Sequence, residues 1–428
     1  VAAAPVTVLA LGTRKVGAEV SFDVPAGTES VTIVEQMISA PATATFTDGG
    51  VLTNGAAPRT LTTASGAVIL DQFAKPDYSV DVALDFSDQA PGTGVIVLPN
   101  STGGLALVSA GLAVGTWRFI VSDLAYLCTL ASNCAKNGGS KTSTYDVSVL
   151  LKPKAPAAGG KLDLTFNFTS SSSPRLSAAS ALGDPDMQRM LASLDTMMAR
   201  GGLSLGTVRF VDVPAAMAAR VASGVRLKDA TVCGDLGQLF TTAPAGRQVN
   251  VFMVSSFIAS DQPSGTSIVG IDGSVPGPAT ISPSLQSGVA VSTVALREGA
   301  NHCGATLALN CDPSGPGCCG ADVTAYVVAH EVGHFLGLFH VTEQYGTMFD
   351  SLADTPTCPC KSCTATPSTC DDWVPAPKTS HTMGFDECQA SAACAGGDNL
   401  MFWIYGAGVV GDVTAEQQRV MHANPAVY

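Results

Sequence analysis

The sequence predicts a mixed α+β chain in which an all-β sandwich precedes a second unit of mixed sheet and helices. Three observations carry this expectation. Residues 1–152 alternate short β-rich runs with Gly, Pro, Asn and Asp turn signals, the pattern of a sandwich. A Pro/Ala/Gly-rich stretch then intervenes, and beyond it strand and helix patterns follow one another. One segment, Asp322–Phe339, reads as an apolar helix that carries imidazoles and a carboxylate. The expected organisation is a sandwich over 1–152, a linker over 153–160 and an α+β unit over 161–428.

In the first unit the expected strands are Val6–Leu11, Glu19–Val24, Ser30–Ile38, Tyr78–Phe86, Thr116–Ser122 and Thr144–Leu151, with no helix among them. Cys128 and Cys134 are placed to close a small loop. The second unit opens with an alternating strand, Lys161–Phe168. A helix follows, with Asp184 as N-cap and Pro185 at the first helical position. Met187, Met190, Leu191, Leu194, Met197 and Met198 recur on one face of it, a stripe that reads as core, and Gly201 ends it. Val208–Val213, Val249–Ser255 and Gly288–Leu296 read as further strands. Asp322 is read as the cap of the next helix, whose Ala325–Leu336 stretch holds no proline. A closing helix begins at Thr414, where Thr414 and Gln417 have the spacing of a capping box.

Composition narrows the function classes. Charged residues are only 13% of the chain and the net charge is −13, with no Lys/Arg cluster, which argues against a nucleic-acid partner. No run reaches the roughly 20 apolar residues that span a bilayer. Thirteen cysteines crowd mainly between Cys303 and Cys394, which reads as disulfides in an oxidising compartment. A rival reading makes Cys358, Cys360 and Cys363 part of a structural zinc cluster. The odd count leaves one thiol over, and Cys233, far from the rest, is a candidate latch on a metal. Val1 in place of Met fits a removed signal peptide, so secretion is expected.

The chemistry is concentrated in His330-Glu331-Val332-Gly333-His334. Residues at i and i+4 share a helix face, so His330 and His334 can reach one metal ion. Glu331 stands beside them and can take a proton from water without being a ligand. Gly337 permits a sharp turn with positive φ, after which His340 returns as a third ligand. Three neutral imidazoles leave one position open, as catalytic rather than structural zinc requires. The whole constellation arises by chance with probability of roughly 10⁻⁶ on this composition. The expected activity is zinc-dependent hydrolysis of peptide bonds in protein or peptide substrates. Two rivals are a binding protein with a vestigial metal site and a zinc hydrolase acting on another amide.

His330 to His340, read as one run, resembles the zinc signature of the metzincin metalloproteases. Asn399-Leu400-Met401-Phe402 is similar to the methionine turn of that clan, and Met401 is preferred over Met348 and Met383 for its Asn-Leu context. Asp354-Thr355-Pro356, the cysteine-rich loop and the closing helix look most like the pappalysin-like family. The resemblance implies a metzincin-type catalytic domain, one Zn²⁺, and a Met401 side chain that underlies the histidines. It also implies calcium near the Asp-Thr-Pro segment, for which Asp350, Asp354, Asp371 and Asp372 offer oxygens. Many metzincins carry a tyrosine two residues after the turn methionine. Trp403 stands there in this chain, and Tyr405 is the nearest tyrosine that can support a transition state. An edge strand for extended substrate is expected within Ile268–Leu296. Residues 1–152 then serve either as an adhesion or targeting module or as an inhibitory prodomain.

Overall fold

The computed structural model of the chain describes residues 6–38, 43–45, 51–53, 56, 58–71, 92–123, 143–154, 159–169, 176–227, 234–259, 267–281, 283–297, 320–370, 381–389, 391, 393–405 and 411–428. It is a mixed α+β structure.

In the N-terminal half, β1 (Thr7–Lys15), β2 (Glu19–Val24), β3 (Thr28–Met37), β4 (Thr60–Thr62), β5 (Val68–Asp71), β6 (Thr93–Leu98), β7 (Gly115–Ile120) and β8 (Thr144–Pro153) build two antiparallel sheets. Their orders are β1-β8-β3-β6 and β2-β7-β4-β5. A short hairpin pairs Thr43–Thr45 with Val51–Thr53. Inward residues of both sheets, among them Phe22, Ile33, Leu61, Ile96, Trp117, Phe119 and Tyr145, close one core. Each large apolar side chain buried there contributes about 1.5–3 kcal/mol. The expected strand Tyr78–Phe86 and the Cys128–Cys134 pair lie outside the described residues.

One helix contradicts the helix-free reading of this half. Thr102–Ala110 (α1) is capped by Ser101, whose Oγ accepts from Gly104 N–H at 3.0 Å. Its sequence, TGGLALVSA, has two glycines and no amphipathic period, so nothing local announces it. It is held from outside. Arg419 donates to Leu105 O and Ser109 Oγ, and Leu105 enters the core of the C-terminal half.

The C-terminal half is built on a five-stranded sheet. Its strands are β9 (Gly160–Phe168), β10 (Leu203–Asp212), β11 (Val249–Val254), β12 (Gly270–Asp272) and β13 (Val289–Ser292), in the order β10-β9-β11-β13-β12. The first four in that order are parallel, and β12 runs antiparallel at the edge. β11 and β13 are buried along their whole length, as both faces of a parallel sheet are when helices cover them. The strand expected over Gly288–Leu296 is shorter, because a 3₁₀ turn takes over at Ala295–Arg297.

α2 (Pro185–Arg200) starts where its cap and proline place it, with Asp184 Oδ1 accepting from Asp186 and Met187 N–H at 3.1 Å each. Its methionine stripe packs into the same core as α3 (Gly320–Phe335). Gly201 ends α2 with an ordinary φ of −80°. A side chain there would collide with Met421, so the glycine serves close packing rather than a left-handed turn. Asp322 does not cap α3, which is already helical at Gly320. Its buried carboxylate accepts instead from Arg189 at 2.8 Å and from Ser193, bolting α3 to α2.

The two halves are packed together. Val34, Val95 and Leu150 lie on the outer face of the β1-β8-β3-β6 sheet, yet each is buried, and Ile281 of the C-terminal half packs on them. Buried Lys152 donates to the carbonyls of His422 and Asn424 in and after α4 (Ala415–Ala423). Among the described residues, no helix is long and apolar enough to cross a membrane.

Lys152→Met keeps the packing and removes both bonds to these carbonyls. Denaturant unfolding should show a loss of about 1–3 kcal/mol, the cost of unsatisfied buried polar groups. An unchanged midpoint would show that the two carbonyls find other donors.

Candidate metal site

α3 carries His330 and His334 one turn apart, and its exit brings in His340. The helix ends in a Schellman arrangement: Leu338 N–H donates to Gly333 O at 3.0 Å and Gly337 N–H to His334 O at 2.8 Å. Gly337 has φ of 108°, which a side chain would strain. The reversal returns the chain so that His340 faces the helix. Leu338 O accepts from His334 Nδ1 at 2.7 Å.

The three Nε2 atoms converge, with separations of 3.1, 3.1 and 3.2 Å. Each ring is fixed by its other nitrogen. His330 Nδ1 meets Leu400 O at 2.7 Å, His334 Nδ1 meets Leu338 O, and His340 Nδ1 meets a Glu343 carboxylate oxygen at 3.0 Å. Those partners are acceptors only, so each Nδ1 must hold the proton. Three Nε2 lone pairs are therefore left facing one another with no proton between them. A shared cation relieves that repulsion. Bonds of about 2.0–2.1 Å in a tetrahedral site put ligand nitrogens roughly 3.3 Å apart, close to the spacing seen. The donor set thus fits a metal ion, and three imidazoles suit zinc and its first-row neighbours.

The electrostatics agree with neutral rings. Burial first, then the neighbouring His340 ring, pushes His330 down to about 3. Burial and the two companion rings hold His334 well below its ordinary value. Burial alone would raise the Glu343 carboxyl, but His340 overrides it and keeps Glu343 below the usual range.

Glu331 occupies the next position on α3 and is buried. A side chain on Gly270 would collide with its Oε1, so the carboxylate lies directly against the backbone of edge strand β12. Burial and then nearby Asp272 raise the Glu331 carboxyl well above its normal value. Met401 is fully buried beneath the helix, and a side chain at Gly333 would sit 2.6 Å from its sulfur. Met401 is thus packed against α3 at Gly333. Met383 O accepts from Trp403 Nε1, and Met348 O from Glu343 N–H.

The remaining expected residues fall as follows. Tyr405 packs edge-on against Tyr326, ring centroids 4.9 Å apart, and Tyr326 in turn stacks near His330. Asp350 Oδ1 accepts from Thr355 Oγ1 at 2.5 Å, and burial pushes its carboxyl up to about 7. Asp354 accepts from Thr414 Oγ1 and Glu416 N–H, so it braces the start of α4. Asp371, Asp372 and Cys233 lie outside the described residues. The edge strand within Ile268–Leu296 is β12. Cys358, Cys360 and Cys363 form no thiolate cluster: each is cross-linked to a different partner, Cys388, Cys370 and Cys394 respectively.

Sequence reasoning missed Glu343, Gly270 and the carbonyls of Leu338 and Leu400. Glu343 is three residues past His340, a spacing that carries no general signal. Backbone acceptors have none at all. A scan against models of protein families finds no match, and a search of curated proteins finds none.

Zinc titration followed by competition with a chromophoric chelator should give one tight ion per chain. His330→Ala, His334→Ala and His340→Ala should each weaken it by more than about 100-fold, beyond the usual effect of outer-shell changes. Equal affinity in the wild type and these variants would place the ion elsewhere.

Proposed function

We propose that this chain is a secreted zinc endopeptidase of metzincin type, most like the pappalysin-like family, with Glu331 as general base. The observation that carries the reading is one juxtaposition. A buried carboxylate, next in sequence to one of three converging imidazoles and outside their cluster, lies against the edge strand of the sheet.

His330, His334 and His340 would hold the ion. Zinc in such a site supplies a Lewis acid that acidifies water and polarises a peptide carbonyl. The chain's own groups do the rest. β12 lies at the sheet edge, where an extended substrate can add as a further strand through main-chain hydrogen bonds. That edge favours a polypeptide over other amides. Glu331 Oε1 accepts a proton from the attacking water and delivers it to the departing amide nitrogen, so one peptide and one water become a carboxylate and an amine. Burial of Glu331 keeps bulk water from competing for that proton. The three disulfides at 358–394 support an oxidising, extracellular setting.

The test is cleavage of unfolded casein by zinc-loaded wild type beside Glu331→Gln. The wild type should cut, and the variant should lose roughly 10²–10⁴-fold in rate while keeping its zinc. A wild type that holds zinc yet cuts neither casein nor a mixed peptide library overturns the reading. Gly270→Ala should also lose about 10²-fold with zinc retained, because its Cβ displaces the Glu331 carboxylate. Full activity in that variant would mean that Glu331 need not lie against β12.

A further inference from the structure

We propose that Asn399 and Gln417 are positioning residues for His330, acting through the Leu400 carbonyl to fix which ring nitrogen faces the metal. The inference rests on reading the three histidines as a metal site.

The two side-chain amides clasp each other. Asn399 Nδ2 donates to Gln417 Oε1 at 2.9 Å, and Gln417 Nε2 donates to Asn399 Oδ1 at 3.1 Å. Both residues are buried, at 3% and 0% exposure. Each oxygen takes a second bond. Gln417 Oε1 accepts from Thr414 N–H at 2.9 Å, which closes the helix cap of α4. Asn399 Oδ1 accepts from Met401 N–H at 2.9 Å, bridging the peptide units on either side of Leu400. Leu400 is therefore held in a side-chain-closed turn anchored to a helix.

The carbonyl of that turn is the one His330 uses. Leu400 O accepts from His330 Nδ1 at 2.7 Å and from the Tyr326 hydroxyl at 3.1 Å. A carbonyl cannot donate, so its orientation dictates that Nδ1 carries the proton and that Nε2 presents its lone pair. If the turn relaxes, the carbonyl swings away and His330 loses its tautomeric preference. Every polar atom of the clasp is satisfied, and such buried networks hold one geometry.

The capping box alone does not explain a glutamine here. Glutamate serves that role equally well, since only an acceptor is needed. The Nε2 donor is required by Asn399 Oδ1. In Gln417→Glu the second carboxylate oxygen would face Asn399 Oδ1. Flipping Asn399 to avoid this would put its NH₂ where Met401 N–H needs an acceptor. The variant thus keeps the cap and breaks the clasp, separating the two roles.

The experiment compares wild type, Gln417→Glu, Asn399→Ala and Val420→Ala. Val420, buried on the same helix, controls for lost packing and stability. Imidazole ¹⁵N shifts of the metal-free proteins report the His330 tautomer, and chelator competition reports zinc affinity. Wild type and Val420→Ala should show His330 protonated at Nδ1 alone. Gln417→Glu and Asn399→Ala should show mixed tautomers and bind zinc about 10–100-fold more weakly. Asn399→Ala introduces no charge and keeps the test open if Gln417→Glu does not fold. Clasp variants with the wild-type tautomer overturn the inference. So does an equal loss of zinc affinity in Val420→Ala at matched melting temperature. If the wild type binds no zinc but the clasp variants still scramble the tautomer, the metal reading fails and the positioning role stands.

Discussion

Three imidazole lone pairs held within about 3.1–3.2 Å of one another are the constraint around which this structure is arranged. Each ring is fastened from behind by an acceptor. Those acceptors come from three different places: the exit turn of α3, the Leu400 turn and the Glu343 side chain. Each in turn is secured by other parts of the fold. The site is therefore a property of the whole C-terminal half, of which α3 supplies only the front row.

Glycines show how closely the parts meet. Gly333 leaves room for the Met401 sulfur on the side of α3 that a side chain would otherwise fill. Gly270 lets β12 come up against Glu331, and Gly277 lets its loop lie on Phe335. At these positions the glycine makes space for a neighbour. Gly337 differs, because its φ of 108° is itself the requirement. A helix with an Ala at position 333 would propagate better, but it would displace the Met401 sulfur packed there.

These distinctions explain what could be read in advance. His330, Glu331, His334 and His340 were legible because i, i+4 geometry and a glycine turn are local rules. α2 was legible because Asp184, Pro185 and its methionine stripe all agree. β9 stood out as an alternating run and β11 as a β-rich one. α1 was not legible, since it is held by Arg419 and by burial of its own Leu105 in the core of the C-terminal half, partners distant in sequence. Asp322 has the local look of a cap, the usual use of aspartate before an apolar run. Its partner Arg189 lies 133 residues away. Gln417 shows its capping role locally, but its second partner, Asn399, belongs to another segment and leaves no local signal.

The same logic bears on the N-terminal half. A module tethered only by its linker would need a polar surface toward its neighbour, because it would spend time apart from it. The β1-β8-β3-β6 sheet instead buries Val34, Val95 and Leu150 against the C-terminal half. A side chain on Gly337 would meet Val97 at 3.2 Å, so the turn that delivers His340 leans on β6. Thr102 at the start of α1 donates to Glu416 on α4, and its N–H donates to Ser351 O beside the Asp350 turn. The two ends of the ligand-bearing segment, the α3 exit and the helix that carries Gln417, both rest on the N-terminal sheets. Separating the halves would expose apolar strand faces and unseat the supports of His330 and His340 together. Whatever else the described N-terminal strands do, they form part of the wall behind the candidate metal site.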